Sequence, residues 1–442
     1  MVWGGDIAVI VNPTSICINA SSICQLRCPE CTSAVYVRRI NERGIDRYLK
    51  ATDFDSLLGD NPWLKTVNLV NYGELFLNPD LIKILKCAFE RNVELLIDAV
   101  NLNNVSDKAL EALVRYKVRS VLVSIDGASD LTYKKYRVGG NLDSVLENIR
   151  KISSYKKKYG SPFPFLTWKF IIFGFNEHEI SMARELAYEL DMQFMPDLGS
   201  CGAGSDLYPE DREQLNYRAL DSVFSPVRDK ELVRQVLGYA SIEEFQQMHG
   251  VHNRQGTCSF LFVMPFVHHD GSILGCCYTD PDHAFGGNVF KEGLLNCINS
   301  EKMQYAREML KGRVPAKPGI PCSNCWVYED MRAGGSWLNT EQQWDWEESY
   351  VMKKVEELAY FRKQYWDLEK YMRRVESEYQ TKVNEILAIE ERQRIFEADL
   401  AAKDDALRHT LAHVTQLEEA LASRPTTRLR KHIKRLFGKL TS

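Results

Sequence analysis

Short apolar and β-branched runs alternate with longer charged segments over roughly the first 200 residues. IAVIV, TVNLVN, VELLIDAV, SVLVSID and FLTWKFIIFGF read as buried strands, whereas NPDLIKILKCAFERN and SDKALEALVRYK have the three-to-four spacing of amphipathic helices. This alternation predicts βα units around a parallel sheet, either open or curled into a barrel, over residues 1–200. Residues 201–257 are polar and read as a mostly helical linker. From 258 to about 340 the texture turns Cys-rich and loop-rich, that of a small domain held by metal rather than by a large core.

The segment 346–423 has a different period. Stepping by seven from Val351 gives Leu358, Tyr365, Met372, Tyr379, Ile386, Gln393, Leu400, Leu407, Val414 and Leu421, so ten of eleven positions are apolar. Phe361, Leu368, Val375, Ile389, Phe396 and Leu417 follow three residues after their heptad starts. That is the pattern of a coiled coil, and a homo-oligomer is its natural consequence. The alternative is a long helix packed on its own globular body.

Composition changes the picture in three places. The 442 residues, 26% charged and 45% hydrophobic, suit a globular chain of two or three domains. The opening residues lack the basic and long apolar regions of a secretory signal, and no stretch approaches a membrane span, so a cytoplasmic location is expected. Twelve Cys in a reducing compartment point to metal ligands, catalytic groups or core thiols rather than disulfides. The net charge of −4 gives no reason to expect nucleic acid. Residues 424–442, however, hold seven Lys or Arg and no acid, with Leu429, Ile433, Leu436, Phe437 and Leu440 on one helical face. This basic amphipathic tail suits peripheral contact with an anionic membrane surface, or else a solvated or docked terminal helix.

Candidate chemistry begins with SICQLRCPECTS, in which Cys24, Cys28 and Cys31 are spaced C-x3-C-x2-C. Three thiols fall one short of a structural zinc site, and by themselves they also allow a redox loop. A 4Fe-4S cube with three cysteines keeps one iron open to a small molecule. CQLRCPEC resembles the defining motif of the radical SAM superfamily, and NPTSICINASSI its first barrel strand. The resemblance implies a partial (β/α)6 barrel with its site at the C-terminal ends of the strands. It also implies a 4Fe-4S cluster that binds S-adenosyl-L-methionine at its open iron and cleaves it reductively to a 5'-deoxyadenosyl radical, which takes a hydrogen atom from substrate. A flavodoxin or ferredoxin is the kind of electron donor that such chemistry uses.

Three further segments carry the resemblance. NLVNYGELFLNPDL matches the glycine-glutamate segment, so Gly73 and Glu74 are implied to meet the SAM amino group; LLIDAVNLNNVSD places Asn101 at the family's Asn. VSIDGASDLTYKKYRVGGNLDSVLENI implies Ser124 and Asp126 as polar contacts and Arg137 as a carboxylate clamp. Each of these residues alone also suits a satisfied loop or helix cap. The chain departs from the pattern at Glu30, usually aromatic, at Tyr72, usually Gly, and at Leu102, also usually Gly.

A second set follows. Cys258, Gly271 and Cys276 have the spacing C-x12-G-x4-C, and Cys322 and Cys325 close it with C-x2-C. This resembles the auxiliary-cluster domain called SPASM, or twitch in its shortened form. No Cys follows Cys325, so a single auxiliary 4Fe-4S cluster is implied, with no iron left open. A four-cysteine zinc site stays the alternative, and Cys277 could replace Cys276. Cys17, Cys87, Cys201 and Cys297 read as core thiols. His268, His269 and Asp270, before Gly271, suggest a general base, although polar turn residues commonly serve the turn.

The expected function is a radical SAM oxidoreductase that dehydrogenates or epimerises a sugar, cyclitol or similar small molecule. A closed auxiliary cluster suits that reaction, because it can accept one electron. The alternatives are modification of a ribosomally made peptide or protein side chain, and an assembly protein built around the coiled coil. The first is disfavoured because a cluster loop starting at Cys24 leaves no room for a leader-binding domain. The second is disfavoured by retention of the cluster cysteines and Glu74.

Overall fold

The computed structural model describes residues 10–29, 31, 47–69, 72–198, 227–249, 258–277, 279, 283–338, 350–423 and 433–434. Glu30, Cys201, most of the linker and most of the basic tail lie outside the described residues.

A parallel sheet organises the first unit, residues 1–359. Its strands are β1 Ser15–Ile18, β2 Thr66–Asn68, β3 Glu94–Val100, β4 Ser120–Ser124, β5 Phe165–Ile172, β6 Gln193–Leu198 and β7 Phe266–Val267. The order is β6-β5-β4-β3-β2-β1-β7 and every pairing is parallel. Helices α1 Ala51–Asp60, α2 Leu81–Glu90, α3 Asp107–Arg115, α4 Asp130–Tyr136, α5 Leu142–Tyr159 and α6 Ile180–Glu189 connect the first six strands.

Local sequence explains the elements. In α3 the Ser106 side chain accepts from the Ala109 N–H, and Leu110, Leu113 and Val114 form the buried stripe. In β5 Leu166, Trp168, Phe170 and Ile172 are buried in the helix-covered core, so Thr167, Lys169 and Ile171 belong to the opposite face of the sheet.

Two expectations need correction. IAVIV is not the first strand where it is described: Ile10 and Val11 are irregular, and the strand starts at Ser15. Asn299 takes both backbone groups of Val11, which fixes that segment as an edge tether instead. Strand β6, with Pro196 in its middle, gave no strand signal in the sequence; it forms because it lies at the sheet edge, where a missing N–H costs no ladder bond.

The Cys-rich region does more than follow the barrel. Its β7 extends the same sheet beside β1, with Cys17 opposite Phe266 and Ile18 opposite Val267. A turn at His268–Gly271 then reverses the chain, closed by the His268 N–H to Ser272 O at 2.8 Å. Gly271 has φ 89°, and a Cβ there would meet Phe290 at 2.5 Å. The described linker residues form α7 Lys230–Leu237 and α8 Ile242–His249; α9 Phe260–Val263, α10 Val289–Glu292, α11 Leu294–Ile298, α12 Glu301–Leu310 and α13 Trp326–Gly334 follow.

The second unit, residues 360–442, holds most of the long helix α14, Tyr350–Ala422. Among its described side chains, several heptad residues face solvent: Tyr379 is 69% exposed, Phe396 64% and Leu407 67%. No helix among the described residues is long and apolar enough to cross a membrane.

Candidate functional site

The carboxyl ends of the parallel strands gather the predicted residues, as strand ends do in open and barrel α/β sheets. Cys24 and Cys28 follow β1, and Cys31 is held by its N–H to Cys28 O at 3.1 Å. All three thiols pack with Leu26, Tyr136 and Phe173 in one small cluster. Burial pushes the Cys24 thiol up to about 12 and the Cys28 thiol to about 11, the latter despite Arg137 nearby. Both are therefore held as neutral thiols until a metal replaces the proton.

Neighbouring groups are arranged to meet thiolate sulfur. Asn101 Nδ2 lies 3.6 Å from Cys24 Sγ, and Arg137 Nη1 lies 3.7 Å from Cys28 Sγ. Such N–H···S contacts tune iron-sulfur ligands. Among the described residues no three Cys, His, Asp or Glu side chains converge on a point as a single ion requires. A four-iron cube takes its thiolates on separate irons, and thiolate sulfur is the donor that iron-sulfur clusters take.

Gly73 and Glu74 press against the cluster loop. A Cβ on Gly73 would lie 2.4 Å from Ser21 O and 2.6 Å from Ile23 O, and φ is 73°, so only glycine suits the position. The Glu74 N–H donates to Ile23 O at 2.7 Å. The Glu74 carboxylate is 1% exposed; Oε2 accepts from the Asn101 N–H at 2.8 Å and Oε1 from the Phe76 N–H. Burial outweighs these bonds and raises its carboxyl to about 7. A buried carboxylate of this kind is ready for an ammonium partner.

On the next strands, Ser124 ends β4 and Asp126 follows it, 0% exposed. Both Asp126 oxygens are engaged: Oδ2 accepts from Arg137 Nε at 2.6 Å and Oδ1 from the Ile171 N–H at 2.8 Å. Asp126 thus orients Arg137, and any effect on a bound carboxylate passes through that guanidinium.

The departures from the family pattern acquire reasons. Leu102 is fully buried and keeps φ 53°, the left-handed conformation that a glycine would adopt freely. Tyr72 reaches across to the second domain. Its N–H donates to Asn19 Oδ1 at 3.1 Å and its hydroxyl to Thr279 O at 2.9 Å, while Thr279 Oγ1 stands 3.3 Å from Cys276 Sγ.

Cys258, Cys276, Cys322 and Cys325 face one another. Burial raises Cys258 to about 12, with the Cys276 and Cys325 thiols adding to it, and burial with Cys276 and Cys258 lifts Cys322 well above the thiol range. Cys277 shares these neighbours and is raised too, so both adjacent thiols stand at the set. Two buried thiols, Cys276 and Cys322, and two half-buried ones, Cys258 and Cys325, stand together at the start of α13, a donor set that would suit one closed cluster. Of the other Cys, Cys17 and Cys297 are buried as expected, whereas Cys87 is half-buried and donates to Asp55 Oδ1 at 3.1 Å.

The HHD run hints only faintly at the network between the domains. Ser22 Oγ is 2.7 Å from His269 Nδ1 and 3.2 Å from His268 Nε2, and it accepts from Asn19 Nδ2 at 2.7 Å. His268 Nδ1 is 3.2 Å from Asp270 Oδ1, and Asp270 is 40% exposed while both imidazoles are almost fully buried. Burial would raise the Asp270 carboxyl, but His268 and the Ser272 N–H hold it well below the usual range. A hydrogen-bonded path therefore runs from the edge of the cluster loop to solvent.

A parallel sheet with three clustered thiols after its first strand, Cys28 buried and Cys24 and Cys31 half-buried, and four more on an appended strand-sharing domain, is the arrangement of a radical SAM barrel with an auxiliary-cluster domain. The family comparisons agree: residues 18–187 match the radical SAM superfamily model and residues 258–326 match SPASM, an iron-sulfur cluster-binding domain. The chain thus carries a radical SAM domain over residues 18–187 and a SPASM domain over residues 258–326. Its cofactors are a SAM-binding 4Fe-4S cluster, SAM itself and auxiliary iron-sulfur in the SPASM domain.

Similar solved structures include Streptococcus suis SuiB bound to precursor peptide SuiA, at 16% identity and TM-score 0.47, covering 72% of this chain and 70% of that one. Another is anSMEcpe with bound AdoMet, at 16% identity and TM-score 0.43, covering 72% and 84%. BtrN in complex with AdoMet and 2-DOIA matches at 12% identity and TM-score 0.38, covering 71% and 93%. No curated protein sequence matches the chain.

Proposed function

We propose that the chain is a radical SAM oxidoreductase that dehydrogenates or epimerises a sugar, cyclitol or related small molecule. When bound, SAM and its cluster supply a carbon-centred radical that removes a hydrogen atom from substrate. Cys24, Cys28 and Cys31 would hold that cluster, Glu74 would receive the SAM ammonium, and Arg137, aligned by Asp126, its carboxylate. Gly73, Asn101 and Ser124 would complete the cofactor contacts.

The observation that carries the reading is the closed set Cys258, Cys276, Cys322 and Cys325, in a domain that shares the barrel's own sheet through β7. Four ligands leave no iron for substrate but allow the set to take one electron, which turns a radical carbon beside a hydroxyl or amine into a carbonyl or imine once a proton leaves. His268 and His269 stand at the same carboxyl edge to accept that proton. The exposed heptad seam of α14 supports a second copy of this chain as partner, and the basic composition of 424–442 supports contact with an anionic membrane surface.

Anaerobic reconstitution tests the reading. About eight irons per chain are expected for two 4Fe-4S cubes, with 5'-deoxyadenosine formed after reduction. Deuterium transferred into 5'-deoxyadenosine from a deuterated sugar or cyclitol supports the small-molecule reading; transfer only from a peptide would replace it.

A further inference from the structure

We propose that Thr279 and Tyr72 set the reduction potential of the auxiliary cluster: the Thr279 hydroxyl donates to the Cys276 thiolate, and Tyr72 holds Thr279 in position from the radical SAM domain. The proposal rests on the reading of Cys258, Cys276, Cys322 and Cys325 as an electron-accepting set and names the residues that tune it.

Turn geometry brings the hydroxyl to sulfur. The Thr279 N–H donates to Cys276 O at 3.4 Å, and the same turn sets Thr279 Oγ1 at 3.3 Å from Cys276 Sγ. A thiol could donate or accept here, but a cluster ligand is a thiolate with no proton, so the hydroxyl becomes the donor. Cys276 and Thr279 are both buried, which keeps water from competing for the sulfur and strengthens the bond.

Tyr72 fixes the other side of Thr279. Its hydroxyl donates to Thr279 O at 2.9 Å and its N–H to Asn19 Oδ1 at 3.1 Å, so the residue spans from the end of β1 to the auxiliary domain. Asn19 in turn donates from Nδ2 to Ser22 Oγ at 2.7 Å and from its backbone N–H to Val267 O at 2.9 Å. The Tyr72 ring packs with Cys17, Phe266 and Leu274, and Cys277 lies against the same apolar group. Tyr72 stands where the family usually has glycine, which has no side chain to reach Thr279. Gly73 and Glu74 follow directly, so the tie runs from the segment proposed to meet SAM to an auxiliary ligand.

The sign of the effect follows from charge. Reduction adds one electron to the cluster and its sulfur ligands, and a donor aimed at sulfur stabilises the more negative state, which raises the potential. In the proposed reaction the substrate radical gives one electron to the cluster and one proton to a base as a carbonyl or imine forms, so a raised potential favours the forward direction. A hydroxyl that only closed its own turn would leave the potential alone.

The full chain with both clusters reconstituted can be titrated with graded reductant and followed by EPR, the auxiliary signal being the one that persists in Cys24→Ala. Thr279→Val should lower the ratio of reduced to oxidised auxiliary cluster about tenfold at a given potential, a downward shift of about 59 mV for one electron. Tyr72→Phe should move it the same way by about threefold, and Thr279→Ser, which keeps the hydroxyl, should stay at the unaltered midpoint. Iron should remain at about eight per chain in all three variants. An unmoved midpoint in Thr279→Val, or a midpoint in Thr279→Ser as low as that of Thr279→Val, would overturn the proposal, and an unmoved midpoint in Tyr72→Phe would overturn the part of Tyr72. Loss of auxiliary iron from Thr279→Val would assign the residue to cluster assembly and overturn it as well. No auxiliary signal in the unaltered chain would overturn the electron-acceptor reading too, whereas an unmoved midpoint beside a normal signal overturns the tuning alone.

Discussion

Arg137 joins the two halves of the cofactor site: its Nε donates to Asp126 at 2.6 Å while its Nη1 stands 3.7 Å from the Cys28 sulfur. The guanidinium is 14% exposed and the carboxylate 0%. Burial alone would lower the Arg137 pKa, yet Asp126 and Cys28 hold it well above the usual value. Asp126→Asn leaves a buried cation without its counter-charge and should destabilise the chain by about 3 kcal/mol, read by denaturant unfolding. Arg137→Lys should keep most stability but lose SAM affinity at least about tenfold, since an ammonium cannot bond Asp126 and a carboxylate in parallel.

Glu74 predicts a pH dependence. Its folded carboxyl sits at about 7, above the ordinary 4.5, so folding favours its protonated form. The metal-free chain should be most stable below about pH 4.5 as far as this group is concerned, losing about 3 kcal/mol as pH rises to about 7 and little beyond. Glu74→Gln should remove that slope from unfolding curves. SAM affinity should rise between pH 5 and 7 as the carboxylate forms, and be flat in the variant.

Gly73→Ala should act on one cluster alone. The added methyl meets backbone carbonyls on both sides of Ser22, so the cysteine loop must shift. Iron after reconstitution should fall from about eight to about four per chain, with the auxiliary signal retained in Mössbauer spectra.

The imidazole pair separates radical formation from proton loss. His269→Ala should leave 5'-deoxyadenosine formation intact while oxidised product falls about a hundredfold. Equal losses in both would show that the pair only supports the cluster loop.

The seam of α14 predicts assembly. Ile386→Glu with Leu400→Glu places charge on exposed heptad positions, 55% and 59% exposed in the single chain. Sedimentation should show the unaltered chain as an oligomer and the double variant as a monomer with unchanged iron content.

Much of the site was legible because its chemistry depends on residue type at short spacing. Cys24, Cys28 and Cys31 stand on one loop, and Gly73 with Glu74 on another, so sequence neighbours become spatial neighbours. Strands β2 to β5 were equally legible from apolar runs. Strand β6 was not, because an edge position tolerates Pro196 and half-polar faces. The motif marks Asp126 as a polar site residue, but its partners Arg137 and the Ile171 N–H are supplied only by chain folding.

The sequence by itself determined the radical SAM and SPASM character of the chain, the two cysteine sets and the seven-residue seam, since each depends on local spacing. Tertiary structure alone decided that Phe266–Val267 completes the barrel sheet, that Tyr72 reaches Thr279 beside Cys276, and that Asn68 meets Asp98 at a bulge. The physical reason is range. Ligand spacing acts over a few residues, whereas strand order and the pairing of buried polar groups arise from contacts between segments far apart in the chain, which leave no periodic trace in either segment.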